Sequence, residues 1–298
     1  MKPAKFEYFA PTSLAEALEL LHEHGDDAKV LAGGQSLMPM INMRLARPKV
    51  VADINRIPDL DYISPTPDGG LAIGALTRQR SVEKSTDVKA RIPVLAAAMP
   101  SIGHFQIRNR GTVGGSISHA DPSAELPALC FALDGEFVLS SASNQRVLKP
   151  VDFFISHLTT ALEPGELLTE IRLPARALAP SEEWRWGFQE VCRRQGDFAM
   201  VGAVSLLKLD GGGICQSACI TMFGVAGTPV RIRRAEEALL GSRVNGSVLQ
   251  DVSRIVSEEL DPDSDIHASS AYRKEIGGVI ARRTLEAAID RRNGDETA

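Results

Sequence analysis

Two segments of the chain pair adjacent glycines with a serine: Gly33-Gly34-Gln35-Ser36, and Gly114-Gly115-Ser116 within Gly111-Thr112-Val113-Gly114-Gly115-Ser116. Adjacent glycines open backbone conformations closed to other residues and let a ligand lie against the main chain, where successive N–H groups converge on an anion. Ser36 and Ser116 each add a hydroxyl donor, and a helix starting beyond the turn adds the positive end of its dipole. Two such segments could grip a diphosphate from opposite sides. Each alone also reads as an ordinary tight connection between a strand and a helix. Neither has the Gly-x-Gly-x-x-Gly order of a Rossmann unit, and no Gly-x-x-x-x-Gly-Lys-Ser/Thr loop occurs.

Other reactive side chains carry weaker patterns. Asp121 or Ser123 can cap a helix, with Glu125 placed to complement its positive end. Arg108 and Arg110 read as phosphate contacts, as a solvated loop or as a subunit contact. His104 and His119 flank the second glycine segment without metal-ligand spacing, so no metal is expected in this chain. Cys130, Cys192, Cys215 and Cys219 are too few and too irregular for a disulfide framework or an iron–sulfur site; Cys215 and Cys219 read as buried thiols on one face of a strand.

The elements that must position these residues follow from periodicity. Ser13 and Glu16 predict a capped helix through Leu14, Ala17, Leu18 and Leu21 up to Gly25; Ala28–Ala32 then reads as a buried strand that delivers Gly33 to a helix over Leu37–Leu45. Strands are predicted at Val50–Ile54, Leu71–Ala75, Glu136–Ser140 and Leu167–Leu173, and helices at Arg78–Lys84, Val94–Ile102 and Ala124–Leu133. The run of proline, alanine and serine from Pro174 to Ser181 marks a domain boundary. Beyond it come three strands, Trp184–Cys192, Met200–Leu209 and Ile214–Phe223, the last two joined at Asp210-Gly211-Gly212-Gly213. Helices follow at Arg233–Leu240, Val248–Glu259 and Ser270–Arg292, an α+β order.

With 298 residues the chain can bury a sizeable core, and a net charge of −5 offers no field for nucleic acid. No apolar run of roughly 18 residues occurs, and Met1–Pro11 lacks an apolar leader, so no membrane span and a cytoplasmic protein are expected. The basic residues of the last helix, Arg273, Lys274, Arg282, Arg283, Arg291 and Arg292, are interleaved with Glu275, Glu286 and Asp290 and read as a solvated face.

Several motifs in order, Ala32-Gly33-Gly34-Gln35-Ser36-Leu37, Gln106 to Gly115, Ala120-Asp121-Pro122-Ser123-Ala124-Glu125-Leu126-Pro127, Gly165 to Ile171, Arg193 to Ala199 and Tyr272-Arg273, resemble the FAD-binding medium subunits of molybdenum hydroxylases. That family includes carbon monoxide dehydrogenase and the flavin domain of xanthine dehydrogenases, and the resemblance extends along the whole chain. It implies a vanillyl-alcohol-oxidase (PCMH) type FAD-binding domain over residues 1–176, with subdomains of about 1–55 and 56–176, and a C-terminal α+β domain over 177–298. By that resemblance Lys29, Val30 and Leu31 lead into Ala32, Gly33, Gly34, Gln35 and Ser36, which wrap the FAD pyrophosphate together with Gly111, Thr112, Val113, Gly114, Gly115 and Ser116. Glu125 and Asp121 would lie near the ribose and adenosine, Ile102 and Leu168 against flavin or adenine, and Phe198 over the isoalloxazine. Some relatives have a lysine where this chain has Gln189 and Glu190, so that lysine's role does not carry over.

The resemblance further implies partners: a small subunit with two [2Fe-2S] clusters and a large subunit with a molybdopterin cofactor, assembled as a dimer of heterotrimers. FAD on this chain would pass electrons to an external acceptor, with no catalytic side chain required here. Two alternatives stand beside it: a self-sufficient FAD oxidoreductase with its own substrate pocket, and a scaffold subunit that has lost its flavin.

Overall fold

Ser13 caps the first helix, Leu14–His24: its Oγ accepts the Glu16 N–H at 3.2 Å, and Glu16 accepts in turn from the Thr12 N–H at 2.8 Å. The reciprocal cap is the one expected, with the return bond falling one residue before Ser13. The helix buries Ala17, Leu18 and Leu21 on a three-stranded parallel sheet, whose order is Glu7–Phe9, Val50–Asp53, Ala28–Leu31.

The computed structural model describes residues 2–174 and 184–290. The boundary expected between 176 and 177 therefore lies outside the described residues, as do Arg291 and Arg292; the last helix is described over Ser270–Asp290.

A five-stranded antiparallel sheet follows, in the order Ile63–Pro65, Leu71–Gly74, Leu167–Leu173, Glu136–Ser140, Gln145–Leu148. The alternation of its central strand is interrupted by a bulge between Leu168 and Glu170. Thr169, in that bulge, donates its hydroxyl to the Val138 carbonyl at 3.1 Å, so its burial leaves the group satisfied. Short helices, among them Pro93–Ala98, Val113–His119 and Glu125–Ala132, pack Val94, Leu95, Ile117, Leu126 and Leu129 into one core with Leu71, Ile73, Phe137 and Ile171. Within it Phe137 meets Phe153 and Phe154 edge-on, with centroids 4.7 and 5.6 Å away.

The strands Trp184–Val191, Val201–Leu209 and Cys215–Phe223 make an antiparallel sheet extended by Val230–Arg231. Asp210 shapes the predicted hairpin by accepting from the Gly212 and Ile214 N–H groups at 2.9 Å each. On one face Val201, Ala203, Leu207 and Ile220 pack with Val252, Val256, Ile280 and Leu285 of the C-terminal helices; on the other, Val204, Leu206 and Cys219 enter the core of the first domain. The sheet is thus a shared wall, and burial on both sides accounts for the nearly unbroken apolar sequence of Val201–Leu209.

One expectation is corrected here. Cys215 and Cys219 do not share a face, because Lys208 stands opposite Ser217 while Leu209 stands opposite Cys215, a shift that changes the parity between them. Cys215 packs with the helices and Cys219 with the first domain, and burial pushes both thiols up. No helix among the described residues is long and apolar enough to cross a membrane.

Phe137→Ala should lower the unfolding free energy by about 3–5 kcal/mol, read as a lower urea midpoint with an unchanged slope.

Candidate functional site

Lys29, Val30 and Leu31 lie in the strand Ala28–Leu31, which releases the chain at Ala32 into the first glycine segment. The helix beyond it spans Leu37–Asn42 rather than Leu37–Leu45, the chain turning at Arg44, whose φ is 61°. Gly34 takes φ 71°, where a branched residue is strained. Gln35 donates its side-chain amide to the Gly33 carbonyl at 2.9 Å, which folds the turn on itself. Among the described residues, the backbone N–H groups of Gly33, Gly34, Gln35 and Ser36 donate to no protein acceptor. Four successive donors left open in a tight turn form a cradle for an anion.

The second segment is built differently. Gly111 joins the helix Phe105–Arg110 to the helix Val113–His119, so Val113, Gly114, Gly115 and Ser116 lie inside the first helical turn rather than in a loop before it. Their donors are committed: Val113 to the Thr77 carbonyl at 3.0 Å, Gly114 to Ala75 at 2.9 Å, and Ser116 to Thr112 at 3.2 Å. The Gly115 N–H goes to Thr112 Oγ1 at 3.0 Å, which makes Thr112 the N-cap. What this segment leaves open to a ligand, among the described residues, is the Thr112 N–H and the Ser116 hydroxyl.

The two segments meet backbone to backbone. A Cβ on Gly33 would stand 2.5 Å from the Arg110 carbonyl oxygen and 2.8 Å from Gly111 Cα, so only glycine admits the contact. Asn55 donates to the Ala32 carbonyl at 2.8 Å and accepts from Arg78 at 2.7 Å, while Arg78 also donates to the Arg110 carbonyl. Asp53 accepts from Asn55 and from the Tyr8 hydroxyl, both at 2.6 Å. Burial opposes the Asp53 charge, yet these bonds, with Arg56 nearby, hold its carboxyl below the usual range. Tyr8, Asp53, Asn55 and Arg78 carry no sequence motif; the pairing of the strands Glu7–Phe9 and Val50–Asp53 brings the first two together, and side-chain bonds join Asn55 and Arg78 to them.

Arg108 is neither a solvated loop residue nor a surface contact: it is 7 % exposed. Its guanidinium bonds Glu83 at 2.8 and 3.2 Å and the carbonyls of Ile102 and Gly103 at 2.9 Å each, so it shapes the loop it spans. Arg110 is exposed, and it is its carbonyl, not its side chain, that meets the glycine turn. The Ile102 and Leu168 side chains are buried in the main core of the first domain. Phe198 is 59 % exposed, in a loop whose Gly196 packs on Gly103 and His104: a Cβ there would lie 3.0 Å from the Gly103 carbonyl carbon.

Asp121 accepts the Ser123 N–H at 2.9 Å, which caps its own turn rather than the following helix; that helix has Ala124 as its N-cap, with no side-chain bond. Glu125, the first residue of the helix, is 4 % exposed. Burial, reinforced by Asp121, pushes its carboxyl up to about 7 against the pull of Arg108. Glu190, which sequence reasoning noted only as a departure from relatives, is pushed up to about 8 by burial and by Glu125. Burial also holds the His119 imidazole down, against Asp121.

Residues 4–176 match the family described as the FAD binding domain in molybdopterin dehydrogenase, and residues 186–288 the CO dehydrogenase flavoprotein C-terminal domain. The chain is 39 % identical to the 6-hydroxypseudooxynicotine dehydrogenase complex subunit alpha of Paenarthrobacter nicotinovorans, over 98 % of this chain and 97 % of that protein. It is also 39 % identical, with the same coverage, to caffeine dehydrogenase subunit beta of Pseudomonas sp. strain CBB1. Its fold matches a chain of carbon monoxide dehydrogenase from Hydrogenophaga pseudoflava, solved in a form that lacks the Mo-pyranopterin moiety of its cofactor. That match has a TM-score of 0.92 at 37 % identity and covers 98 % of this chain and 100 % of the other. The expected α+β fold, a PCMH-type FAD-binding domain followed by a C-terminal α+β domain, is borne out.

Arg108→Met, which leaves Glu83 to Arg80 alone and takes the donor from the Ile102 and Gly103 carbonyls, should cost about 1–3 kcal/mol of stability; a double-mutant cycle with Glu83→Gln in unfolding free energies reads the part that belongs to the Arg108–Glu83 pair.

Proposed function

We infer the role of this chain from the premise that it belongs to the FAD-binding medium subunits of the molybdenum hydroxylases, the carbon monoxide dehydrogenase and xanthine dehydrogenase family of oxidoreductases. It serves as the electron-transfer subunit of such an enzyme. The observation that carries the site assignment is the open row of N–H donors from Gly33 to Ser36, which donate to no protein acceptor among the described residues.

The residues present fit the cofactor. Ala32, Gly33, Gly34, Gln35 and Ser36 would hold the pyrophosphate by backbone donors, with Lys29, Val30 and Leu31 setting the direction of approach. From the second segment the Thr112 N–H and the Ser116 hydroxyl would complete the grip, while Gly111, Val113, Gly114 and Gly115 keep that wall thin enough for close contact. Asp121 and Glu125 are assigned to the ribose and adenosine portion, Ile102 and Leu168 to the core packing that backs the apolar edge, and Phe198 to one face of the ring. Bound there, FAD supplies the redox chemistry, accepting electrons singly and releasing them in pairs. The side chains bind, orient and exclude water, and none is assigned as acid, base or nucleophile.

The electrons would come from two [2Fe-2S] clusters of a small subunit, fed by a molybdopterin cofactor in a large subunit, and leave to an external acceptor. The assembly is proposed to be a dimer of these heterotrimers. Support comes from relatives named as a complex subunit alpha and as medium chains, matched along nearly their whole length. Their names span 6-hydroxypseudooxynicotine, caffeine, glyceraldehyde and carbon monoxide, a spread that supports leaving the choice of substrate to a partner rather than to this chain.

Purification from the native host by a tag on this chain should give flavin absorbance, molybdenum, iron and two co-purifying chains. Flavin on a lone, metal-free chain would instead mark an independent flavoenzyme, and the absence of flavin would overturn the assignment. In the recombinant chain, Gly34→Val and Gly115→Val should each lower flavin content by about tenfold or more while the circular dichroism stays native. At Gly115 even a Cβ would lie 2.7 Å from Thr112 Oγ1.

A further inference from the structure

The pair Tyr272-Arg273 lies far along the chain from the glycine segments, yet the Arg273 side chain reaches the end of the loop that carries Phe198. Arg273 sits near the start of the helix Ser270–Asp290 and is 8 % exposed. Each arm of its guanidinium has a partner: Nε donates to the Met200 carbonyl at 3.3 Å, Nη1 to the Asp263 carbonyl at 2.8 Å, and Nη2 to Asp265 Oδ2 at 2.8 Å. One planar cation thus ties the connection between the helices Gly246–Glu259 and Ser270–Asp290 to the end of the Cys192–Ala199 loop.

That loop is fixed at its base. The Met200 N–H donates to the Val191 carbonyl at 2.8 Å, which closes the loop, and Ala199 is buried with Phe223 and Ala128. Phe198, one residue before, is exposed. Among the described residues the Met200 carbonyl accepts from Arg273 alone. Gly224 lies against the same oxygen, where a Cβ would stand 2.8 Å away, so the backbone there has little room to turn. Asp265 holds the guanidinium from the other end. Its Oδ1 accepts the His267 and Ala268 N–H groups at 2.8 and 2.9 Å, which leaves Oδ2 for Arg273. The bond from Arg273 is the main reason the Asp265 carboxyl stays well below the usual carboxylate range, so the pair is ionised at neutral pH.

We propose that Arg273 is a positioning residue for the flavin: by joining the Met200 carbonyl to Asp263 and Asp265, it fixes the root of the Cys192–Ala199 loop and so holds Phe198 over the isoalloxazine. The proposal rests on the FAD reading above. A side chain that covers a ring face needs a fixed root, because each freed backbone torsion swings it out of contact. Gly196 anchors one side of Phe198 by packing on Gly103 and His104, and the Met200 carbonyl anchors the other. Between the two anchors lie Asp197, Phe198 and the buried Ala199. The bonds of Arg273 reach none of the residues assigned to the diphosphate, so its effect falls on the ring end of the cofactor.

The test is the affinity of the full, flavin-free chain for FAD and for ADP, which shares the diphosphate end of FAD but lacks the isoalloxazine. Melting curves of the same proteins show that each variant is folded. Arg273→Lys keeps a charge beside Asp265, but an ammonium lacks the planar fork that serves all of these acceptors at once. Phe198→Ala and Arg273→Lys should each weaken FAD binding about fivefold, the loss of one aromatic contact, and leave ADP binding unchanged. Combined, they should weaken FAD binding no more than Phe198→Ala alone, because the arginine acts through the ring. Asp265→Asn keeps the acceptor for the His267 and Ala268 N–H groups and removes the carboxylate that holds the guanidinium. It should shift FAD in the same direction, again without moving ADP. An Arg273→Lys loss that adds to that of Phe198→Ala, or that falls as heavily on ADP as on FAD, would overturn the positioning role, as would wild-type FAD affinity in either single variant. If Arg273→Lys does not fold, Asp265→Asn decides the question by the same comparisons. Wild type that fails to bind FAD would instead overturn the FAD reading itself.

Discussion

The contact between Gly33 and the Arg110–Gly111 peptide joins the two glycine segments through their main chains, and the rest of the proposed site is arranged around it. Bringing backbones this close normally strands polar groups, because each carbonyl loses water without gaining a ladder partner. Here Asn55 bonds the Ala32 carbonyl and Arg78 the Arg110 carbonyl, and the two side chains bond each other. The carbonyls are thus satisfied from within the protein, while the N–H groups of residues 33–36 are left without a protein partner. A turn that spends its acceptors internally and keeps its donors open is suited to a polyanion.

The second domain depends on a different economy. Its sheet has no free face, since helices cover one side and the first domain covers the other. Any polar group placed between the domains must be satisfied there or neutralised. Ser205 and Thr284 meet that demand on the helix side by bonding each other at 2.6 Å. On the other side burial pushes the Glu125 carboxyl up to about 7 and the Glu190 carboxyl up to about 8.

Much of this was legible in the sequence where a single periodicity decided the outcome. Leu14–His24 shows its cap and its apolar face, Val201–Leu209 its burial on both sides, and Asp210–Gly213 its turn chemistry. The first glycine segment was readable because Gly34 needs a positive φ that few other residues tolerate. The second was misplaced by a few residues, since Gly114 and Gly115 look like loop formers but sit in a helix, where Thr112 caps them and Ala75 leaves Gly114 no room for a side chain. Short edge strands such as Glu7–Phe9 and Gln145–Leu148 had too few buried positions to show a period. Arg108 was unreadable for a deeper reason: its burial is set by Glu83 and by carbonyls that only the folded loop collects. The parity change between Cys215 and Cys219 likewise comes from a bulge that no residue type announces.

The central claim, that the open donors of residues 33–36 hold the FAD diphosphate, is tested most directly by hydrogen exchange of the full chain with and without FAD. Exchange at Gly33, Gly34, Gln35 and Ser36 should slow strongly when FAD is added, while Val113, Gly114, Gly115 and Ser116, whose amides already have protein partners, should change little. Bound flavin with unchanged exchange at residues 33–36 would contradict the account.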